Sequence, residues 1–218
     1  MASGEWRAGN VEKGRGIAGY VLAGGGSTRF GQDKALVAFE GKPMLLRMRE
    51  LLGSVSGDVI VIAAEGKYTS IGVESVADQR PGEGPLGGII TALAVSAKSQ
   101  RHIPWNLIVG CDMPFLTSEW LVHMAERAEA STSEVVVPQS ASGLEPLCAC
   151  WRTSALAKLQ QAFEKGVRKV TEAMKPLDME ILDEPVWKRF DSAGRLFWNM
   201  NTPADYKEAQ KVLQAGQT

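Results

Sequence analysis

The chain has 218 residues, enough for a full hydrophobic core. Its 24 Lys and Arg nearly balance 25 Asp and Glu, so a net charge of −1 leaves no global field suited to nucleic acid or to an acidic membrane surface. No apolar run reaches the length of a membrane span or has signal-peptide form at the N-terminus. The three cysteines, Cys111, Cys148 and Cys150, lack zinc spacing and fit a cytoplasmic protein.

Residues 1–16 are glycine-rich, charged and aperiodic, and read as a loose tail ahead of one domain over residues 17–218. The apolar run Ile17 to Ala23 predicts a central parallel strand covered on both faces. It stops at Gly24-Gly-Gly26, and Ser27, Thr28, Arg29 and Lys34 follow within ten residues. That order suits a phosphate cradle, because glycines let bare N–H groups approach an anion and the two cations meet phosphate oxygens. The stretch is not a Walker A loop, since Gly31 is followed by Gln32-Asp33-Lys34. Nor is it a dinucleotide fingerprint, since Arg29 occupies the third glycine position.

After the loop, Lys42-Pro43 predicts the opening of a helix with Met44, Leu45, Met48, Leu51 and Leu52 on one face. Strands are expected over Asp58 to Ala63 and Glu74 to Ala77, the latter delivering Asp78 to a loop that ends at Gly84-Pro85. A helix follows with Leu86, Ile89, Ile90, Leu93 and Ala97 at helical spacing. Asn106 to Gly110 reads as a strand running into Cys111-Asp112, and Thr117 as the cap of a helix to about Ala130. Glu134 to Pro138 and Leu147 to Trp151 read as an antiparallel pair, because the loop between them is too short for a crossover helix. Helices over Thr153 to Lys165 and Val167 to Met174 come next, then an edge strand at Met179 to Leu182. In the last helix Thr202, Pro203 and Asp205 fit N-cap, N1 and N3. Alternating strands and helices imply an α/β fold, a mostly parallel sheet mixed at one edge with helices on both faces.

Such sheets bind ligands beyond the C-terminal ends of their strands, where the Gly24 loop, Asp78 and Asp112 all fall. A carboxylate at Asp112 suits Mg²⁺, one oxygen holding the ion while phosphates and water complete the octahedron, or else it is a turn aspartate. Asp78 either accepts hydrogen bonds from a nucleoside or shapes its turn. Asn199 and Asn201, two apart in extended chain, share a face and suit a second metal position, a polar acceptor substrate, or a cap and turn cluster. Glu145 either faces the cleft or begins a strand. With only His102 and His123, a histidine metal site or triad is hard to assemble. Transfer to a phosphate acceptor needs no side-chain nucleophile, only alignment and charge stabilisation.

Leu22-Ala-Gly-Gly25, Ser27-x-Arg29, Gly31 and Asp33-Lys34 resemble the signature loop of the molybdenum cofactor guanylyltransferase family, with Phe30 where the family usually has methionine. The likeness continues through Gly41-Lys-Pro43, Gly84-Pro-Leu-Gly87, Cys111-Asp-Met-Pro-Phe-Leu116, Glu145-Pro-Leu147 and Asn199-x-Asn-Thr-Pro203. The resemblance implies a three-layer α/β/α, Rossmann-like nucleotidyltransferase fold of the nucleotide-diphospho-sugar transferase type. It also implies Mg²⁺-dependent transfer of GMP from GTP to the terminal phosphate of molybdopterin. Nucleotide-binding residues would be Leu22, Ala23, Gly24, Gly25, Lys34, Asp78 and Asp112. Catalytic residues would be Arg29, Lys34 and Asp112, with Asp112 on the metal and Asn199 and Asn201 on the acceptor side. Transient contact with molybdenum cofactor insertion or acceptor proteins is a further implication. The chain departs from the family's bacterial members after the second strand, where Ala63-Ala64-Glu65 replaces an asparagine. The alternatives are a cytidylyltransferase or sugar-phosphate nucleotidyltransferase of the same fold, and a non-catalytic nucleotide- or cofactor-carrying adaptor.

Overall fold

The computed structural model describes residues 16–24 and 33–215. The expected tail before Gly16, and Gly25, Ser27, Arg29 and Gly31 of the glycine loop, lie outside the described residues.

The chain begins with strand β1 (Ile17–Leu22). A short hairpin of β2 (Ala38–Phe39) and β3 (Lys42–Pro43) then leads to helix α1 (Met44–Gly53). Strands β4 (Val59–Ala63) and β5 (Ser75–Ala77) precede α2 (Pro85–Ala97). Next come β6 (Trp105–Gly110), α3 (Ser118–Ala130), β7 (Val135–Ser140), β8 (Gly143–Leu144) and β9 (Cys148–Arg152). The chain finishes with α4 (Leu156–Glu164), α5 (Val170–Ala173), β10 (Met179–Leu182), α6 (Glu184–Trp187) and α7 (Pro203–Ala215).

The main sheet runs β10-β7-β9-β6-β1-β4-β5, with β8 hydrogen-bonded to β7. β1 is parallel to both β4 and β6, and all six of its residues are buried, as its uninterrupted apolar sequence requires. α1, α3, α6 and α7 cover one face through Met44, Leu45, Met48, Trp120, Leu121, Met124, Trp187 and Ala209. α2, α4 and α5 cover the other through Leu86, Ile89, Ile90, Leu93, Leu159, Val170 and Ala173. The result is the expected three-layer α/β/α arrangement.

Two expectations are corrected. The antiparallel strand β9 lies inside the main sheet between β7 and β6, not at an edge; β10 takes the edge and runs parallel to β7. Lys42-Pro43 does not open the helix. It pairs with Ala38-Phe39 across a turn at Glu40 (φ 52°) and Gly41 (φ 76°), and the helix starts at Met44. Two successive residues with φ > 0 form the kind of tight turn whose twist matches that of the flanking strands.

The caps follow the sequence pattern. Thr117 Oγ1 accepts from Trp120 N at 3.3 Å. Thr202 Oγ1 accepts from Asp205 N at 3.2 Å, while Asp205 Oδ2 accepts from the N–H groups of Asn201 and Thr202 at 2.8 Å each. Cys148 and Cys150 point to one face and are wholly buried among apolar neighbours.

Candidate active site

A cleft of about 370 Å³ opens at the C-terminal ends of the parallel strands. β1 brings Leu22, Ala23 and Gly24 to it, β4 brings Ile62, β5 leads to Asp78, and β6 leads to Gly110, Cys111 and Asp112. Leu147 closes one side, because the reversed direction of β9 puts that strand's beginning at the rim where the other strands end. The Leu147 carbonyl accepts from Gly110 N at 2.9 Å.

The start of α2 faces the same space, with Gly82, Gly84, Pro85 and Gly88 in its wall. Gly84 precedes the helix at φ 77°, a left-handed conformation that a side chain would strain, and Pro85 supplies the first helical φ. Among the described residues no side chain caps this terminus. An uncapped helix start places partial positive charge and N–H donors against whatever anion enters.

Asp112 is the group with the strongest unmet demand. Its Oδ1 is buried and has no hydrogen-bond partner among the described residues. Burial pushes the carboxyl above its ordinary value, and the Lys34 ammonium works against that rise. A Cβ at position 110 would lie 2.9 Å from Asp112 Oδ1, so Gly110 makes room for the carboxylate. A buried anion of this kind calls for a cation, and the residues present fit a divalent metal. Among the described residues no cluster of three or more His, Cys, Asp or Glu side chains exists to hold one, so the chain offers a carboxylate and leaves other positions to a ligand's oxygens.

Lys34 opens a short 3-10 turn, Lys34–Leu36, whose cap is Asp33. Its Nζ donates to Asn201 Oδ1 at 2.8 Å. Asp33 Oδ1 accepts from Ala35 N at 3.0 Å. Asp33 Oδ2 accepts from Tyr68 Oη at 3.1 Å and pairs with Lys67 Nζ at 2.8 Å. Asp78 Oδ1 accepts from Arg80 N in its own turn and from Thr91 Oγ1 on α2, at 2.9 Å each. Its Oδ2 would lie 3.8 Å from a Cβ on Gly24, on the cleft side.

A second cavity of about 260 Å³ adjoins the first across Pro85 and Leu147, which line both. Met113, Glu145, Lys169, Thr171 and Asn199 line it. Glu145 accepts from Ser140 Oγ at 2.6 Å, and burial raises its carboxyl.

The sequence profile of the MobA-like NTP transferase domain matches residues 19–178. The chain belongs to this family. Among curated relatives of the transferase is "Probable molybdenum cofactor guanylyltransferase" of Chloroflexus aggregans, 32% identical over 204 residues that span 90% of this chain and 95% of the relative. A protein of the same name from Deinococcus radiodurans is 32% identical over 192 residues, 88% and 93% of the two chains. A solved structure of molybdopterin-guanine dinucleotide biosynthesis protein A from Archaeoglobus fulgidus superposes with a TM-score of 0.74 at 26% identity. It covers 91% of this chain and 99% of that one. The transferase is therefore a nucleotidyltransferase enzyme, of a kind that generally uses a divalent metal. Among the described residues it has no helix long and apolar enough to cross a membrane.

The fold of the transferase brings Leu22, Ala23, Gly24, Lys34, Asp78 and Asp112 to one cleft. Asn199 lines the neighbouring cavity, and Asn201 reaches the cleft's rim through Lys34. The Met200 N–H between them donates to the Asp112 carbonyl at 2.8 Å, which ties this segment to β6. Arg29 and Gly25 lie outside the described residues. Sequence reasoning passed over Tyr68 and Lys67, whose stretch carries no repeat or nucleotide-binding motif to mark it.

Proposed function

We propose that the transferase binds GTP with Mg²⁺ in the cleft at the C-terminal rim of the sheet. It transfers GMP to the terminal phosphate of molybdopterin, giving the guanine dinucleotide cofactor and pyrophosphate. One observation carries this reading: the buried Asp112 oxygen, unpartnered among the described residues, lies in the same cleft as Lys34 and the start of α2. The names of the relatives point to the same reaction.

Asp112 would hold the ion; when bound, Mg²⁺ supplies positive charge to the phosphates under attack and departure. Lys34 donates to phosphate oxygens, and the Gly24 backbone and the start of α2 offer N–H groups to the same chain of phosphates. Asp78 presents Oδ2 as an acceptor for nucleoside N–H or O–H groups. Asn199 and Asn201 bind on the acceptor side, in and beside the second cavity. Arg29, from its place in the signature loop, assists phosphate transfer. The acceptor phosphate is already anionic near neutral pH, so these residues align and stabilise charge and none need remove a proton. Residues 17–218 form one catalytic domain, working in the cytoplasm.

The test is pyrophosphate release by the purified chain with molybdopterin, Mg²⁺ and GTP, CTP, ATP or UTP in turn. Release with GTP, and with no other triphosphate at comparable rate, is expected. A preference for CTP replaces the assignment with a cytidylyltransferase. GTP binding without pyrophosphate replaces it with a carrier.

A further inference from the structure

The Tyr68 side chain is wholly buried in the core beneath the end of β1. Phenylalanine would fill the same space, so the hydroxyl needs its own explanation: burying one costs energy unless it finds a partner. Its single proton has two acceptors in reach and is shared between them, the Ala23 carbonyl at 2.9 Å and Asp33 Oδ2 at 3.1 Å. Those acceptors are ten positions apart and stand on either side of the Gly24 stretch. Both residues line the cleft.

Each contact leads directly to a nucleotide-facing group. Ala23 precedes Gly24, and its own N–H donates to the Ile62 carbonyl at 3.0 Å. Asp33 uses its second oxygen to cap the 3-10 turn that begins with Lys34. Lys67, the neighbour of Tyr68, adds a 2.8 Å ion pair to the oxygen that the hydroxyl reaches, and its ammonium lies 5.1 Å from the Tyr68 ring centroid. Burial, then the Asp33 charge, push the phenol well above its ordinary value, so it stays a proton donor throughout the working range.

We infer that Tyr68 is a positioning residue for triphosphate binding: its hydroxyl pins Ala23 to Asp33 and thereby sets the place from which Lys34 reaches the phosphates. The inference rests on the cleft being the nucleotide site. Tyr68 acts through Asp33 and Lys34 and does not touch the substrate itself.

The experiment is a double-mutant cycle on GTP affinity in the presence of Mg²⁺, with Tyr68→Phe, Lys34→Ala and the pair in the full chain. Turnover is measured separately. Tyr68→Phe keeps the ring and should weaken GTP about tenfold, the loss expected when a hydrogen bond to a charged group is removed. In the Lys34→Ala background the same change should cost less than about twofold, because the group that it positions is gone. Asp33→Asn keeps the cap acceptor but weakens the acceptor for Tyr68 and Lys67. It should show the same coupling to Lys34→Ala with an independent effect on folding. Additive losses, or unchanged GTP affinity in a folded Tyr68→Phe protein, overturn the inference. A wild type that binds GTP but releases no pyrophosphate overturns the proposed reaction and leaves the cycle to decide the role of Tyr68. A wild type that binds no GTP overturns both.

Discussion

Lys34 Nζ donates a 2.8 Å hydrogen bond to Asn201 Oδ1, joining residues 167 positions apart. The loop after β1 is thereby connected to the segment before α7, so the Lys34 ammonium is held from the far end of the chain. Asn201→Ala should raise the KM for GTP a few-fold, in line with a hydrogen bond worth about 1 kcal/mol. Its melting temperature should stay near wild type, because Asn201 is exposed. Lys34→Ala removes the cation itself and should weaken GTP binding about 10- to 100-fold. Isothermal titration of both variants checks the order.

Asp112→Asn should abolish turnover while melting no lower than wild type in metal-free protein. Burial already disfavours the charged form of this carboxyl, so removing the charge relieves a penalty of folding. Thermal melts in chelator, set beside pyrophosphate release, separate the two effects. A variant that loses both fold and activity would mean that the carboxylate is structural.

Gly110→Ala should cost activity through displacement. The added Cβ would sit 2.9 Å from Asp112 Oδ1, closer than such contacts tolerate, and the carboxylate must move. A fall in kcat of about tenfold or more, with circular dichroism unchanged, is the expected result, because a misplaced catalytic group is costly even when the fold survives. Gly110→Ser should be no better.

A pH effect on stability is expected at Glu134. Burial pushes this carboxyl up, but the Lys158 ammonium at 2.6 Å and the Asp178 N–H at 3.0 Å outweigh it and hold the group below its ordinary 4.5. A carboxyl lowered by folding stabilises above its unfolded value, and that contribution is lost as the pH falls through the folded one. Glu134→Gln should therefore cost up to about 1 kcal/mol at neutral pH, and the gap should close as the pH drops below the ordinary carboxylate range. Urea melts at several pH values read this directly.

The thiols should be silent in the native protein. Burial pushes Cys148 up to about 12 and Cys150 and Cys111 well above their ordinary range, and all of these cysteines are buried. An aromatic disulfide reagent should titrate almost no thiol until denaturant is added.

Much of this fold was legible because its signals are local. β1 is an unbroken apolar run and β6 is one apart from the buried Asn106, as doubly covered strands are, and Thr117 and Thr202 announce their helices by the acceptors that they offer to backbone N–H groups. The antiparallel direction of β9 followed from a short connection. Its interior place did not, since strand order depends on long-range pairing that no window of sequence records. Lys42-Pro43 misled for a physical reason. Proline suits the first turn of a helix, but here Pro43 keeps an extended ψ of 136° and serves as the residue before α1. The site's carboxylates were visible as polar residues ending apolar strands. Tyr68 was not, because burial of its ring looks the same in sequence whether or not its hydroxyl has partners.

The reversal of β9 has a consequence for how such a protein can change. Residues 145–147 arrive at the rim from a strand that runs against its neighbours, while Gly24, Asp78 and Asp112 arrive from strands that run with them. Two walls of one hollow thus descend from separate stretches of chain and are joined where Gly110 N donates to the Leu147 carbonyl. On the proposed reading, substitution on the β9 side would refit the molecule to a different recipient while the wall proposed to grip the donor stays as it is.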